Sequence, residues 1–147
     1  MITAQTFRLD GRLAFVTGSS AGIGLGLARG LAQAGASLVL NGRDDAKLQA
    51  TAKTLRTEGF DVHTRAFDVT DADAVKANVD GIEHEIGPID ILINNAGNQN
   101  RKPLIETTPV EWQQLMNVHV NGSFNCSQIF IPGMRNRGFG RVVMTSS

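Results

Sequence analysis

Apolar residues along the chain fall into five short runs separated by longer stretches of mixed character. The runs are LAFVT (13–17), SLVLN (37–41), DVHTRAF (61–67), IDILI (89–93) and RVVMT (141–145). Three of them are nearly continuous, the pattern of parallel strands covered on both faces. The stretches between carry helical spacing. Val75, Val79, Ile82 and Ile86 recur at intervals of 4, 3 and 4, which predicts a one-faced helix starting after Asp71 and stopping at Gly87-Pro88. Leu48, Ala52 and Leu55 mark the helix before it. Gly22, Gly26 and Gly30 form a stripe on the first helix. Each glycine costs a helix about 1 kcal/mol against alanine, so the stripe is expected to mark close approach of helix to sheet. A long helix is predicted from about Pro109 to Met134, with Pro132 expected to kink or end it and Trp112 and Phe124 expected to pack. Strands and helices therefore alternate through the chain. Crossovers of this length imply a right-handed, doubly wound parallel sheet, whose ligands bind at the carboxyl ends of the strands.

Composition narrows this picture without redirecting it. The 147 residues suit one domain. Fourteen Lys and Arg balance fourteen Asp and Glu, so no basic field argues for nucleic acid. A single cysteine, Cys126, leaves no internal disulfide and points to a reducing compartment, the cytoplasm. The N-terminal residues lack an apolar signal core, and no apolar run is long enough for a membrane span. His63 and His84 stand alone, without metal-ligand spacing, and no metal site is expected. The sequence contains no tyrosine.

The first strand runs into TGSSAGIG, residues 17–24, which opens the first helix. In that context glycines serve a phosphate site. Gly18 permits the tight turn, Gly22 and Gly24 let a diphosphate approach the backbone and the helix N-terminus, and Ser19 and Ser20 offer hydroxyls. An ordinary strand–helix turn is the alternative. The second strand ends in Asn41-Gly42-Arg43 rather than in an acid. An acid there would accept bonds from a ribose diol and mark NAD, whereas a guanidinium suits a 2′-phosphate. NADP is therefore expected, with NAD as the alternative. Asp44 and Asp45 read as helix-capping residues.

The glycine loop, Asn94-Asn95-Ala96-Gly97 after the fourth strand, Asp68-Val69 after the third and the terminal GRVVMTSS together resemble the short-chain dehydrogenase/reductase family over the whole chain. The flanking FRLDGRLAFVTGSSAGIG, VLNGRD and GPIDILINNAG are most similar to its gluconate 5-dehydrogenase branch. The resemblance implies a Rossmann-type sheet with strand order 3-2-1-4-5, which the family continues with two further strands. It implies hydride transfer between NADP(H) and a secondary alcohol or ketone, with a sugar acid such as gluconate/5-ketogluconate or another ketone, a 3-oxoacyl group among them, as substrate. Gly18, Ser19, Ser20, Ala21 and Ile23 would line the pyrophosphate and nicotinamide path. Arg43 would meet the adenosine phosphate, Asp68 and Val69 would hold adenine, and Asn95, Ala96 and Gly97 would pass beside the ribose. Ser147 aligns with the catalytic serine, although Ser146 and Ser147 also read as a plain polar strand end. His119 stands where the family has a catalytic asparagine that helps hold a proton-relay water. The family's tyrosine and lysine lie beyond its serine, so the chain is expected to be the N-terminal part of a longer enzyme, with an exposed fifth strand. Helix 109–134 would then form a homo-oligomer contact. A catalytically inactive nucleotide-binding or interaction module is the alternative. Arg101 and Lys102 read as surface charges or as partners for a substrate carboxylate.

Overall fold

Hydrophobic periodicity becomes structure much as the pattern predicts. The computed structural model describes residues 4–146. Its strands are β1 (Leu13–Val16), β2 (Ser37–Gly42), β3 (Val62–Ala66), β4 (Ile91–Asn94) and β5 (Arg141–Met144). All pair in parallel, in the order β3-β2-β1-β4-β5. The order reverses between β1 and β4, and a crevice opens there at the carboxyl edge.

Helices cover both faces. On one face, α1 (Gly22–Gln33) and α2 (Asp45–Thr57) bury Ala28, Ala32, Leu48, Ala52 and Leu55 against Ala14, Val16, Leu38 and Leu40. On the other, α3 (Ala72–Glu85) and α5 (Gly122–Asn136) bury Val75, Val79, Ile82, Cys126 and Phe130 against Leu13, Phe15, Val39 and Leu92. Phe15 and Phe130 meet with ring centroids 5.0 Å apart. Asp44 and Asp71 cap α2 and α3 by accepting from Lys47 and Ala74 backbone N–H groups, each at 3.0 Å. Asp45 sits in the first turn of α2 and accepts from Gln49.

Three expectations need correction. The buried stripe of α1 is Gly24, Ala28 and Ala32, not Gly22, Gly26 and Gly30, which lie on the exposed side. A Cβ added at any of those three would meet nothing within 4 Å, so they do not mark close approach to the sheet. The long helix does not stop at Pro132. It runs as α4 (Pro109–Met116), a π-helical turn (Asn117–Asn121) and α5, which ends at Asn136. The irregularity falls three turns before the proline, at the wide turn around His119. Trp112 and Phe124, expected to pack, are 51% and 59% exposed. Strand β5 is exposed along all four residues, as expected of a sheet edge without a further neighbour. Among the described residues no helix is long and apolar enough to cross a membrane.

Candidate functional site

The connection from β1 to α1 is set by what glycine alone allows at two positions. Gly18 has φ +61°, and a Cβ there would lie 2.8 Å from the Ala96 Cα. At Gly24 a Cβ would collide with the Gly18 carbonyl and lie 2.5 Å from Asn95 Nδ2. Loop 17–24 and the loop after β4 are thus packed backbone to backbone. Hydrogen bonds fix the arrangement. Thr17 Oγ1 accepts from the Asn95 and Ala96 backbone N–H groups, both at 2.8 Å. Asn95 Nδ2 donates to the Thr17 and Gly18 carbonyls, both at 3.2 Å. The residue before α1, Ala21, has no side chain with which to cap it, so its leading N–H groups stay available to an anion.

The neighbouring walls follow. Thr51 of α2 donates its hydroxyl to the Ser20 carbonyl at 2.8 Å, tying α2 to the glycine loop. Asn41 turns inward, its amide donating to the Arg65 and Phe67 carbonyls at 3.1 and 3.2 Å. Gly42 faces Ser20 instead of presenting an acid. Arg43 stands out from the strand end, 76% exposed at the side chain, with its guanidinium 3.8 Å from Asp68 Oδ2. Asp68 is held by a tight turn, accepting at Oδ1 from the Thr70 N–H and hydroxyl at 2.9 and 2.8 Å. Asn125 of α5 donates to the Val69 carbonyl at 3.0 Å. His119 Nε2, from the π-helical turn, bonds the Asn98 carbonyl at 2.7 Å, with its ring packed on Gly97.

These walls enclose a cleft of about 440 Å³ at the carboxyl edge. Gly18, Ser20, Ala21, Arg43, Asp68, Val69, Ala96 and Gly97 line it, all singled out by sequence. Gly22, Ile23, Gly24, Asn95 and His119 adjoin it without lining it. Ser19 is a correction: its hydroxyl is fully buried, donating to the Val16 carbonyl at 2.7 Å and accepting from the Asn41 N–H at 3.0 Å, so it is not offered to a ligand. At Gly24, close packing between loop and helix by itself requires glycine. Ile23, expected on the cofactor path, is 75% exposed. Ser147 lies outside the described residues. Asn41, Gly42 and Asp44 line it too, as do Phe67, Asn98, Val118 and Lys47, which sequence did not single out for the site. Only Lys47 had a legible signal, as a cation one turn into the helix that follows Arg43. Arg101 pairs with Gln99 and Lys102 with Glu111, the ordinary surface arrangement. Among the described residues no group of three His, Cys, Asp or Glu could hold a metal ion.

The sequence profile of the short chain dehydrogenase family matches residues 12–147. This chain belongs to that family. Gluconate 5-dehydrogenase of Gluconobacter oxydans (strain 621H) is 49% identical over 137 residues, 93% of this chain and 54% of that protein. Galactitol 2-dehydrogenase of Rhizobium johnstonii is 40% identical over 148 residues, 97% of this chain and 56% of that protein. The crystal structure of a gluconate 5-dehydrogenase from Burkholderia cenocepacia J2315 in complex with NADP and tartrate superposes with a TM-score of 0.90 at 47% identity, covering 95% of this chain and 55% of that one. The chain thus spans about half the length of the curated relatives it matches. Within the family frame, the glycine loop, the Asp68-Val69 corner and Ala96-Gly97 all border one cleft.

Proposed function

We propose that these 147 residues form the NADP-binding part of an oxidoreductase acting on the secondary alcohol or ketone of a sugar acid, gluconate/5-ketogluconate being the favoured pair. The observation that carries this reading is the cleft itself, in which a side-chain-poor turn and an uncapped helix start face a strand that ends in Asn41-Gly42 and is followed by Arg43. The 49% identity to a gluconate 5-dehydrogenase supports the substrate class.

The residues fit the cofactor. Gly18, Ser20 and Ala21 leave backbone N–H groups and one hydroxyl for the diphosphate. Arg43 offers a fork of donors to the 2′-phosphate. Asp68 and Val69 would flank adenine, and Ala96 and Gly97 the nicotinamide ribose. When bound, the nicotinamide accepts or donates the hydride. The chain's part is then to hold the substrate oxygen beside it. In this reading Ser147 donates its hydroxyl to that oxygen. The bond from the Thr145 N–H to the Asn94 carbonyl, 3.0 Å, carries β5 toward the same edge two residues earlier. His119 holds the loop at Gly97–Asn98 and lends its backbone carbonyl to a relay water, a role that tolerates histidine. The family resemblance assigns protonation of the substrate oxygen to a tyrosine, and none occurs among the 147 residues.

Homo-oligomerisation through helix 109–134 belongs to the same proposal. It is supported by the exposed Val110, Trp112, Val120, Phe124 and Ile131. A cytoplasmic setting is supported by the single buried thiol of Cys126.

Fluorescence titration with NADPH and NADP+, against NADH and NAD+, tests the cofactor. Saturable binding with tighter affinity for the phosphorylated forms is expected, and absence of binding to all four overturns the reading. In the full-length enzyme, loss of NADPH absorbance on addition of 5-ketogluconate tests the substrate.

A further inference from the structure

Arg43 faces a local charge problem. Its guanidinium lies 3.8 Å from Asp68, and Asp44 lines the same end of the cleft. One cation against two carboxylates makes a poor receptor for a phosphate dianion. Lys47 changes the balance. It lines the cleft together with Ser20, Arg43 and Asp44. Among the described residues its ammonium has no ion-pair partner, unlike those of Lys76 and Lys102, which pair with Asp80 and Glu111. Its placement is fixed from below. Thr51, one turn later on the same face of α2, shares its single hydroxyl proton between the Ser20 carbonyl at 2.8 Å and the Lys47 carbonyl at 3.0 Å. Helical side chains lean toward the helix N-terminus, which directs Lys47 toward the start of α2, the end that follows Arg43.

We propose that Lys47 is a specificity-determining residue, a second cation for the 2′-phosphate, and that Arg43 and Lys47 together set the preference for NADP(H) over NAD(H). This rests on the NADP reading above. It adds that Arg43, partly neutralised by Asp68, does not suffice.

The test compares NADP+ and NAD+ affinities by titration calorimetry in the wild type, Lys47→Met, Lys47→Arg, Arg43→Ala and Lys53→Met. Lys53 is an exposed lysine on the same helix that does not line the cleft, so its variant loses the same charge elsewhere. Thermal melts of all variants should match, because both lysine side chains are solvent-exposed. Lys47→Met is expected to weaken NADP+ by about five- to tenfold while leaving NAD+ within about twofold, the effect of one near-surface unit charge. Lys47→Arg should retain the preference, and Lys53→Met should change neither affinity. The inference is overturned if Lys47→Met changes neither affinity or both equally, or if Lys53→Met reproduces it. If Arg43→Ala abolishes the preference while Lys47→Met is silent, Arg43 acts alone and only the role of Lys47 falls. If the wild type binds neither dinucleotide, the NADP reading itself fails and the role of Lys47 with it.

Discussion

Strands β1 and β5 are both four residues long and largely apolar, Leu-Ala-Phe-Val against Arg-Val-Val-Met. All four residues of β1 are buried, while all four of β5 are exposed. The difference comes from place in the sheet, not from composition. Strand β1 lies between β2 and β4, with α1 on one face and Phe67 and Phe130 on the other. Strand β5 pairs only with β4, and its side chains find little cover. Apolar content thus marks a strand, but neighbours decide what its burial contributes.

The largest expected effect tests that contrast directly. Phe15→Ala removes a ring with no exposed surface from the centre of one core layer and should cost about 3–5 kcal/mol. Val143→Ala removes a side chain that is 46% exposed and should cost below about 1 kcal/mol. Urea denaturation of the two variants measures the gap. Similar losses would mean that β5 is covered in solution by another chain, and dilution would then separate the two melts.

A second contrast lies inside α1. Gly24 and Gly26 are two residues apart on one helix and face opposite environments. Gly24→Ala sets a methyl against the Gly18 carbonyl and Asn95, and should destabilise by about 1–3 kcal/mol while loosening the glycine loop and abolishing nucleotide binding. Gly26→Ala meets open space and should stabilise by about 0.5–1 kcal/mol, because alanine is the better helix former. Thermal melts with an NADPH titration check both. A tolerated Gly24→Ala would show that the two loops part more easily than their packing implies.

The same pair shows where sequence reading succeeds and where it stops. Spacing placed the strands and the glycine turn, because buried periodicity and the strand–glycine–helix junction are local signals, whereas the strand order and the Asp68-Val69 and Ala96-Gly97 walls followed from the family resemblance. It put the glycine stripe of α1 on the wrong side, since a glycine inside a helix marks either close approach or empty space, and only the partner distinguishes them. It read Ser19 as a ligand-facing hydroxyl, although a serine beside a tight turn can equally turn back on the strand, as it does toward Val16 and Asn41. Strand β4 starts at Ile91 rather than Ile89, because Ile89 is buried before pairing begins and Asp90 turns toward Arg12 and Leu13. The roles of Asn125 and Thr17 as braces for the cleft depend on contacts 56 and 78 residues away, which no local pattern encodes.

The smallest expected effect compares helix caps. Helices α2 and α3 begin on single aspartate caps and are then held by buried faces, whereas α4 buries none of its residues. What defines the start of α4 is the reciprocal pair of Thr108 and Glu111, with Lys102 on the same carboxylate. The Lys102 ammonium, followed by the bonds from Thr108, holds the Glu111 carboxyl down at about 2, below the ordinary value of 4.5. A carboxyl held low in the folded chain contributes in full above its unfolded value and loses that contribution as the pH falls toward its folded one. The cap should therefore be intact at neutral pH and weaken progressively below 4.5 toward 2. Amide exchange across residues 108–116, followed from neutral pH to about pH 3 after correction for intrinsic rates, should show α4 opening while α2 keeps its protection. Glu111→Gln should open α4 at neutral pH and flatten its acid dependence. If α2 and α4 lose protection together, acid acts on the whole fold, and a helix without a buried face is no weaker than one that has it.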